Sequence, residues 1–292
     1  MLEKFESYLL KEKRSSAHTV NAYIKDVESF LEYIQIDDLN ILNEISYHLV
    51  RSWMVNLIDE GLNNRSVNRK LSSLRTFFKW AKRNGHIEID PMLRITGPKQ
   101  NKRLPEFVKE EEIDISILDE LFSADFSGKR DRIIFELLYQ TGIRLSELIN
   151  IKNSDFQNSA IKVLGKRNKE RIIPISPLLE KEISEYMHLK SDSQFDITYL
   201  LCTNKGKKLY PKFVYRKINY YLSLVTSLGK KSPHVLRHTF ATHMLNNGAG
   251  LESLKEVLGH ASLSATQIYT HNSFEEINKI YKQAHPRGHK KE

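Results

Sequence analysis

The sequence predicts two domains, mainly helical, with one small β-sheet confined to the second. Three observations carry this prediction. At 292 residues the chain exceeds the usual size of a single domain, and 40% hydrophobic residues suffice for each part to bury a core. Apolar residues recur at three- and four-residue spacing along most of the chain, the period of an amphipathic helix. Two short β-type runs, 160–164 and 171–175, flank the polar turn GKRNKE, which reads as a hairpin.

In chain order, Phe5, Leu9 and Leu10 form a first apolar face, and Val20, Tyr23, Ile24, Val27, Phe30, Leu31 and Ile34 a longer one. Two further helices fit Leu49 to Asp59, stopped by Gly61, and Ser66 to Lys82, stopped by Asn84-Gly85. Residues 1–97 thus make a helical domain. Residues 98–111, around PKQNKRLPEFVKE, hold two prolines and a basic cluster without periodicity, the composition of a linker. The second domain spans 112–292. It opens on helices around Arg130 to Tyr139, broken at Thr141-Gly142, continues through the hairpin, and returns to helices after Ser176, a good N-cap before Pro177.

The formal charge of +9 suits a polyanionic partner. It is unevenly placed: residues 1–98 carry 14 Lys and Arg against 13 Asp and Glu, residues 99–292 carry 31 against 23. Mean hydropathy of −0.46 and the lack of any long apolar run argue against a membrane span and for the cytoplasm. The lone Cys202 excludes an internal disulfide and a multi-cysteine zinc site.

Four segments concentrate chemistry-bearing residues. In TGIRLSEL, Gly142 breaks a helix and Arg144 falls in the first turn of the next, where the macrodipole disfavours a cation that a bound phosphate would neutralise; a plain Arg144–Glu147 pair at i,i+3 is the bland alternative. The turn GKRNKER offers Lys166, Arg167, Lys169 and Arg171, either solvated or able to deliver a proton. In SPHVLRHTFATH, a helix capped by Ser232 and Pro233 puts His234 and Arg237 on one face. His238 follows at i+4, but HVLRH lacks the glutamate of an HExxH metal helix, and no carboxylate or thiolate nearby completes a ligand set. His238 and His243 suit core packing. In LGHASLSATQIYTH, Gly259 ends a helix, His260 lies just past it, and a helix starting near Ser264 carries Tyr269.

The ordered set Arg144, Lys166, His234-x-x-Arg237, Leu-Gly-His260 and Tyr269 resembles the tyrosine recombinase (phage integrase) family over nearly the whole chain. It is most similar to the Xer branch, with XerC and XerD both fitting, through TGIRLSEL, GKRNKERIIPI, HVLRHTFATH, LGHASLSATQIYTH and AHPRG. The resemblance implies a helical N-terminal core-binding domain and an α+β tyrosine recombinase catalytic domain with a C-terminal docking helix. It implies Tyr269 as nucleophile, Arg144 and Arg237 as a phosphate clamp, Lys166 as general acid, and His234 and His260 as further active-site imidazoles, with Glu147 in support. Departures are Arg167 where glycine is common and Ala265 where threonine is frequent.

Such chemistry needs neither metal nor cofactor, since two guanidiniums hold the phosphate oxygens. A covalent 3′-phosphotyrosine conserves the bond energy for religation. The resemblance further implies double-stranded DNA as partner, a homo- or hetero-tetramer with a second recombinase on paired sites, a Holliday-junction intermediate, and resolution of chromosome dimers at cell division with the FtsK translocase. Three alternatives stay open: a mobile-element integrase, a type IB-like topoisomerase, and a helix-turn-helix regulator built on Leu251 to Leu258 and Ser264 to His271. The regulator leaves Arg144 and Lys166 unexplained. Phe274, Ile277, Ile280 and Tyr281 form a final apolar stripe, which either folds back on its own domain or, as the resemblance implies, docks on a neighbouring subunit.

Overall fold

A computed structural model describes residues 1–35, 39–100, 106–157, 159–165, 169–193, 195, 198–259 and 271–288, with the backbone alone at 39–41, 271–274 and 276. The chain divides into two compact units, Met1–Arg103 and Leu104–Glu292.

The first unit is helical. α1 (Leu2–Ser7) runs into a π-helical turn at Tyr8–Glu12. α2 (Ala17–Tyr33) starts at Ser16, whose hydroxyl accepts from the Thr19 N–H, and α3 spans Tyr47–Asp59. α4 (Asn64–Arg83) starts at Asn63, which accepts from the Ser66 N–H at 2.9 Å. Gly61 and Gly85, past the ends of α3 and α4, take left-handed φ of 85° and 71°. Phe5, Leu9, Phe30, Trp53, Phe77 and Phe78 fill the core, Phe5 meeting Phe77 edge-on at 5.2 Å. Leu10, expected beside Leu9, is exposed because the π-helical turn rotates it away from the core. Asp26 is buried but satisfied by Arg69, Lys70 and Ser73. The chain at 98–99 stays on this unit, its carbonyls accepting from Asn68 and Asn64.

The second unit begins where Val108, buried, donates its N–H to Thr239. Its helices are α5 (Ile115–Leu121), α6 (Phe126–Thr141) and the short α7 (Leu145–Leu148). β1 (Phe156–Gln157), β2 (Ala160–Leu164) and β3 (Glu170–Pro174) form an antiparallel sheet in that order, with Val163 opposite Arg171 and Ile161 opposite Ile173. There follow α8 (Pro177–Asp192), α9 (Pro211–Val225), α10 (Pro233–Asn246), α11 (Leu251–Leu258) and α12 (His271–Ala284). From Ile133 to Thr141 α6 is buried all round, because α8 and α10 cover it from different sides. Ser176 caps α8 as expected, accepting from Leu179 N–H. Ser232 occupies the N-cap of α10, yet its buried hydroxyl makes no capping bond and has no partner among the described residues.

In the single chain the closing helix α12 packs on its own unit, with Ile277, Tyr281 and Ala284 buried and β3 and α10 beside them. Polar bonds reinforce the apolar face. Tyr281 donates to Gln140 at 2.8 Å, Ala284 O accepts from Asn247, and the chain beyond is tied down by Arg287, which pairs with Glu136 and donates to Ile113 O at 2.5 Å. His285 stacks on Tyr281 with ring centroids 4.8 Å apart.

No helix among the described residues is long and apolar enough to cross a membrane.

Candidate active site

The site forms where the turn after α6, the hairpin strand β3, α10 and the end of α11 meet. Gly142 makes the first turn: it adopts φ 58°, and a Cβ there would lie 2.4 Å from Phe240. Only glycine fits both the backbone and the space. The turn delivers Arg144 as the N-cap of α7, and Glu147 reaches back to accept the Arg144 N–H at 2.8 Å.

The Arg144–Glu147 pair expected at i,i+3 is present at 2.8 Å, but it is no surface pair. The Glu147 side chain is 4% exposed and also receives two bonds from Arg171, at 3.1 and 2.8 Å. Burial pushes the Glu147 carboxyl up, but the Arg171 hydrogen bond and the Arg144 N–H reverse this and hold it below the ordinary carboxylate range. Arg237, one turn into α10, donates to Gly142 O and, at 2.8 Å, to Leu258 O. Burial first, and then the neighbouring Arg144 charge, bring its guanidinium down to about 10, so it stays protonated at neutral pH.

Three guanidiniums therefore converge on the end of α11. Arg171 Nε donates to Val257 O at 2.8 Å, Arg237 Nη2 to Leu258 O at 2.8 Å, and Arg144 Nη2 to Gly259 O at 3.3 Å. These are carbonyls that a helix end leaves unpaired and electronegative. Gly259 takes the left-handed C-cap expected of it, at φ 63°.

Arg144 and Arg237 are thus brought together, and His234 lies exposed three residues before Arg237 on α10. Lys166, His260 and Tyr269 lie outside the described residues, as do Arg167, Ala265 and the helix expected from Ser264. His243 is a core residue, bonded to Tyr139 Oη and Val108 O at 3.0 Å each, and burial lowers its imidazole. Sequence reasoning treated Arg171 as one more cation of the turn, whereas it is 3% exposed and bonded on every side. The signal was there: Arg171, Ile173 and Ile175 alternate in strand register, which places the arginine on the inward face.

The comparisons with known proteins fall on this constellation. A family model described as "Phage integrase family" matches residues 106–276, and one described as "Phage integrase, N-terminal SAM-like domain" matches 2–85. The chain belongs to the phage integrase family. Among its relatives, the tyrosine recombinase XerC of Oceanobacillus iheyensis is 36% identical over 98% of this chain and 96% of its own length. That of Staphylococcus carnosus is 39% identical over 97% and 96%. The chain is accordingly a site-specific tyrosine recombinase, an enzyme that breaks and rejoins DNA. Solved structures share its fold: XerH bound to its palindromic difH substrate in a post-cleavage complex has a TM-score of 0.72 at 22% identity, covering 96% of this chain and 83% of that one. A lambda integrase tetramer bound to a Holliday junction has a TM-score of 0.68 at 19% identity, covering 90% and 74%.

Proposed function

We propose that this recombinase cleaves DNA through Tyr269 and acts in the resolution of chromosome dimers. The observation that carries the reading is the convergence of Arg144 and Arg237, from two separate elements, on adjacent carbonyls at the end of α11. Paired guanidiniums of this kind hold the two non-bridging oxygens of a phosphodiester and neutralise the charge that builds on them.

In the proposed step the Tyr269 oxygen attacks phosphorus. A bond to the phenolic oxygen forms, the bond to the 5′ oxygen breaks, Lys166 supplies the proton that the leaving 5′ hydroxyl needs, and the phenolic proton passes to a neighbouring imidazole or to water. His234 and His260 stand as the imidazoles of the site. The reverse reaction with a 5′ hydroxyl from a partner strand completes recombination without an external energy source or metal ion.

The partner is double-stranded DNA, which the excess of Lys and Arg over residues 99–292 favours. The assembly is a tetramer on paired sites, formed with copies of itself or with a second recombinase, as the lambda integrase tetramer on a Holliday junction exemplifies for its own chain. The division into domains follows the sequence, with a DNA-clamping domain over 1–97, a linker over 98–111 and a catalytic domain from 112. The place of action is the cytoplasm, at cell division, with the FtsK translocase as regulator.

The test is a nicked suicide duplex carrying a candidate site. Covalent protein–DNA adducts stable to SDS should form, the attached peptide should contain Tyr269, and Tyr269→Phe should bind DNA while forming none. Sites mapped by such adducts across the host genome should fall at one chromosomal locus, where a single exchange resolves a dimer. An adduct persisting in Tyr269→Phe sinks the chemistry, and scattered sites sink the role in segregation.

A further inference from the structure

The strand-cleavage reading gives no role to Arg171, a buried cation at the site itself. Arg171, on β3, is 3% exposed, and its guanidinium serves three separate segments. It holds both oxygens of Glu147, it donates to Val257 O, and it lies against two glycines. An ideal Cβ on Gly165 would lie 3.3 Å from Arg171 Nη1, and one on Gly259 would lie 3.2 Å from the same atom, tighter than ordinary contact.

The positions of these neighbours matter more than their number. Glu147 is the residue that fixes Arg144, through its side chain and its backbone N–H. Gly165 immediately precedes Lys166, and Gly259 immediately precedes His260. One side chain therefore touches the support of a clamp arginine and the last described residue before each of two proposed catalytic groups.

Stability alone does not call for an arginine here, because a buried ion pair is commonly replaced by apolar residues of similar volume at no loss. A planar fork with donors on three sides does what an apolar residue cannot, which is to hold a carboxylate and a carbonyl from different elements in one fixed relation. We propose that Arg171 is a positioning residue for strand cleavage, setting Arg144 against the scissile phosphate through Glu147 and fixing the chain that leads into Lys166 and His260. The proposal rests on the reading of Arg144 as a phosphate clamp.

The experiment measures single-turnover cleavage by the full chain on two suicide duplexes, one with an ordinary scissile phosphate and one with a methylphosphonate there. Replacing a non-bridging oxygen by methyl removes the negative charge that a clamp arginine must neutralise, so a defect acting through that arginine shrinks. Misplacement of a reacting group by an ångström can cost about a hundredfold. Arg171→Gln is therefore expected to slow cleavage of the ordinary duplex by about 30- to 300-fold, with DNA affinity changed less than about threefold. On the methylphosphonate its deficit against wild type should fall below about tenfold. Arg171→Lys keeps the charge but loses the fork, and should stay within about threefold of Arg171→Gln.

Should Arg171→Gln fail to fold, the paired change Arg171→Met with Glu147→Met removes both charges and leaves Arg144 unsupported; it should fold, cleave slowly and show the same recovery. An equal deficit on both duplexes, or wild-type cleavage by the paired variant, overturns the proposal. Failure of the underlying reading looks different: Arg144→Ala would then gain nothing from the methylphosphonate, whatever Arg171 does.

Discussion

Replacing Arg287 by alanine tests the cis packing of α12 more sharply than any change on its apolar face. Arg287 is 8% exposed, and its Nε and Nη2 lie 3.4 and 3.3 Å from Glu136 Oε1. Nη2 also serves Ile113 O, and the guanidinium lies 5.4 Å from the Tyr139 ring centroid. Truncation leaves the Glu136 carboxylate, 3% exposed, with Gln140 at 2.8 Å as its one remaining donor among the described residues. Removing one partner of a buried pair costs about 3–5 kcal/mol, most of it the uncompensated charge. For a unit of this size each kcal/mol moves the midpoint by about 2–4 °C, so Tm of the catalytic unit should fall by about 6–20 °C. The two tryptophans, Trp53 and Trp80, both lie in the first unit, which supplies an internal control. Circular dichroism should record the early melting of the second unit while tryptophan fluorescence records an unchanged first one. The double variant Arg287→Ala with Glu136→Gln should recover at least about 1 kcal/mol relative to the sum of the singles. A shift below about 3 °C, or strict additivity, would show that the C-terminal segment is not held as described.

Further outcomes follow from other sites. Lys166→Ala should fail on ordinary DNA and recover when sulfur replaces the bridging 5′ oxygen, since a thiolate leaves unprotonated; rescue of Lys169→Ala instead would move the general acid to Lys169. Gly142→Ala should destabilise by about 2–5 kcal/mol in urea unfolding, from the left-handed backbone together with the overlap at Phe240 and Leu258; a change under about 1 kcal/mol would mean the turn yields easily. His285, packed among Tyr139, Tyr281, His243 and Arg287, is lowered to about 3, chiefly by burial. Its unfolded form takes up a proton below about 6.5 and its folded form only near 3, so its contribution declines as pH falls between those values. The difference in unfolding free energy between wild type and His285→Gln should shrink over that range, and a flat difference would refute the burial.

The helices and hairpin were legible because each is written in local periodicity. Ser176 begins its helix, Gly85, Gly142 and Gly259 mark chain reversals, and β2 and β3 alternate as a half-buried pair should. Arg144–Glu147 was also legible, at i,i+3. What completes it was not: Arg171 is 24 residues from Glu147 and 86 from Val257, and no local pattern reports contacts across such separations. The stripe on α12 shows the same limit. Periodicity shows that Ile277 and Tyr281 need cover, but the cover comes from α10, β3 and Gln140, which only the assembled unit brings beneath them. The bland reading of charged turns misled at Arg171, whose place in a strand outweighed its membership in a basic run.

The three arginines at the end of α11 also bear on which length changes the chain can accept over generations. Val257, Leu258 and Gly259 each offer a carbonyl to a cation from a different element, so the helix is read off by its last two residues and its C-cap one by one. A single residue inserted or deleted within Leu251–Leu258 would turn those carbonyls by about 100° and advance them by about 1.5 Å, leaving three arginines, the buried Arg171 among them, facing the wrong atoms. Single-residue indels in this helix should therefore be eliminated, even where every substitution in its exposed face is accepted.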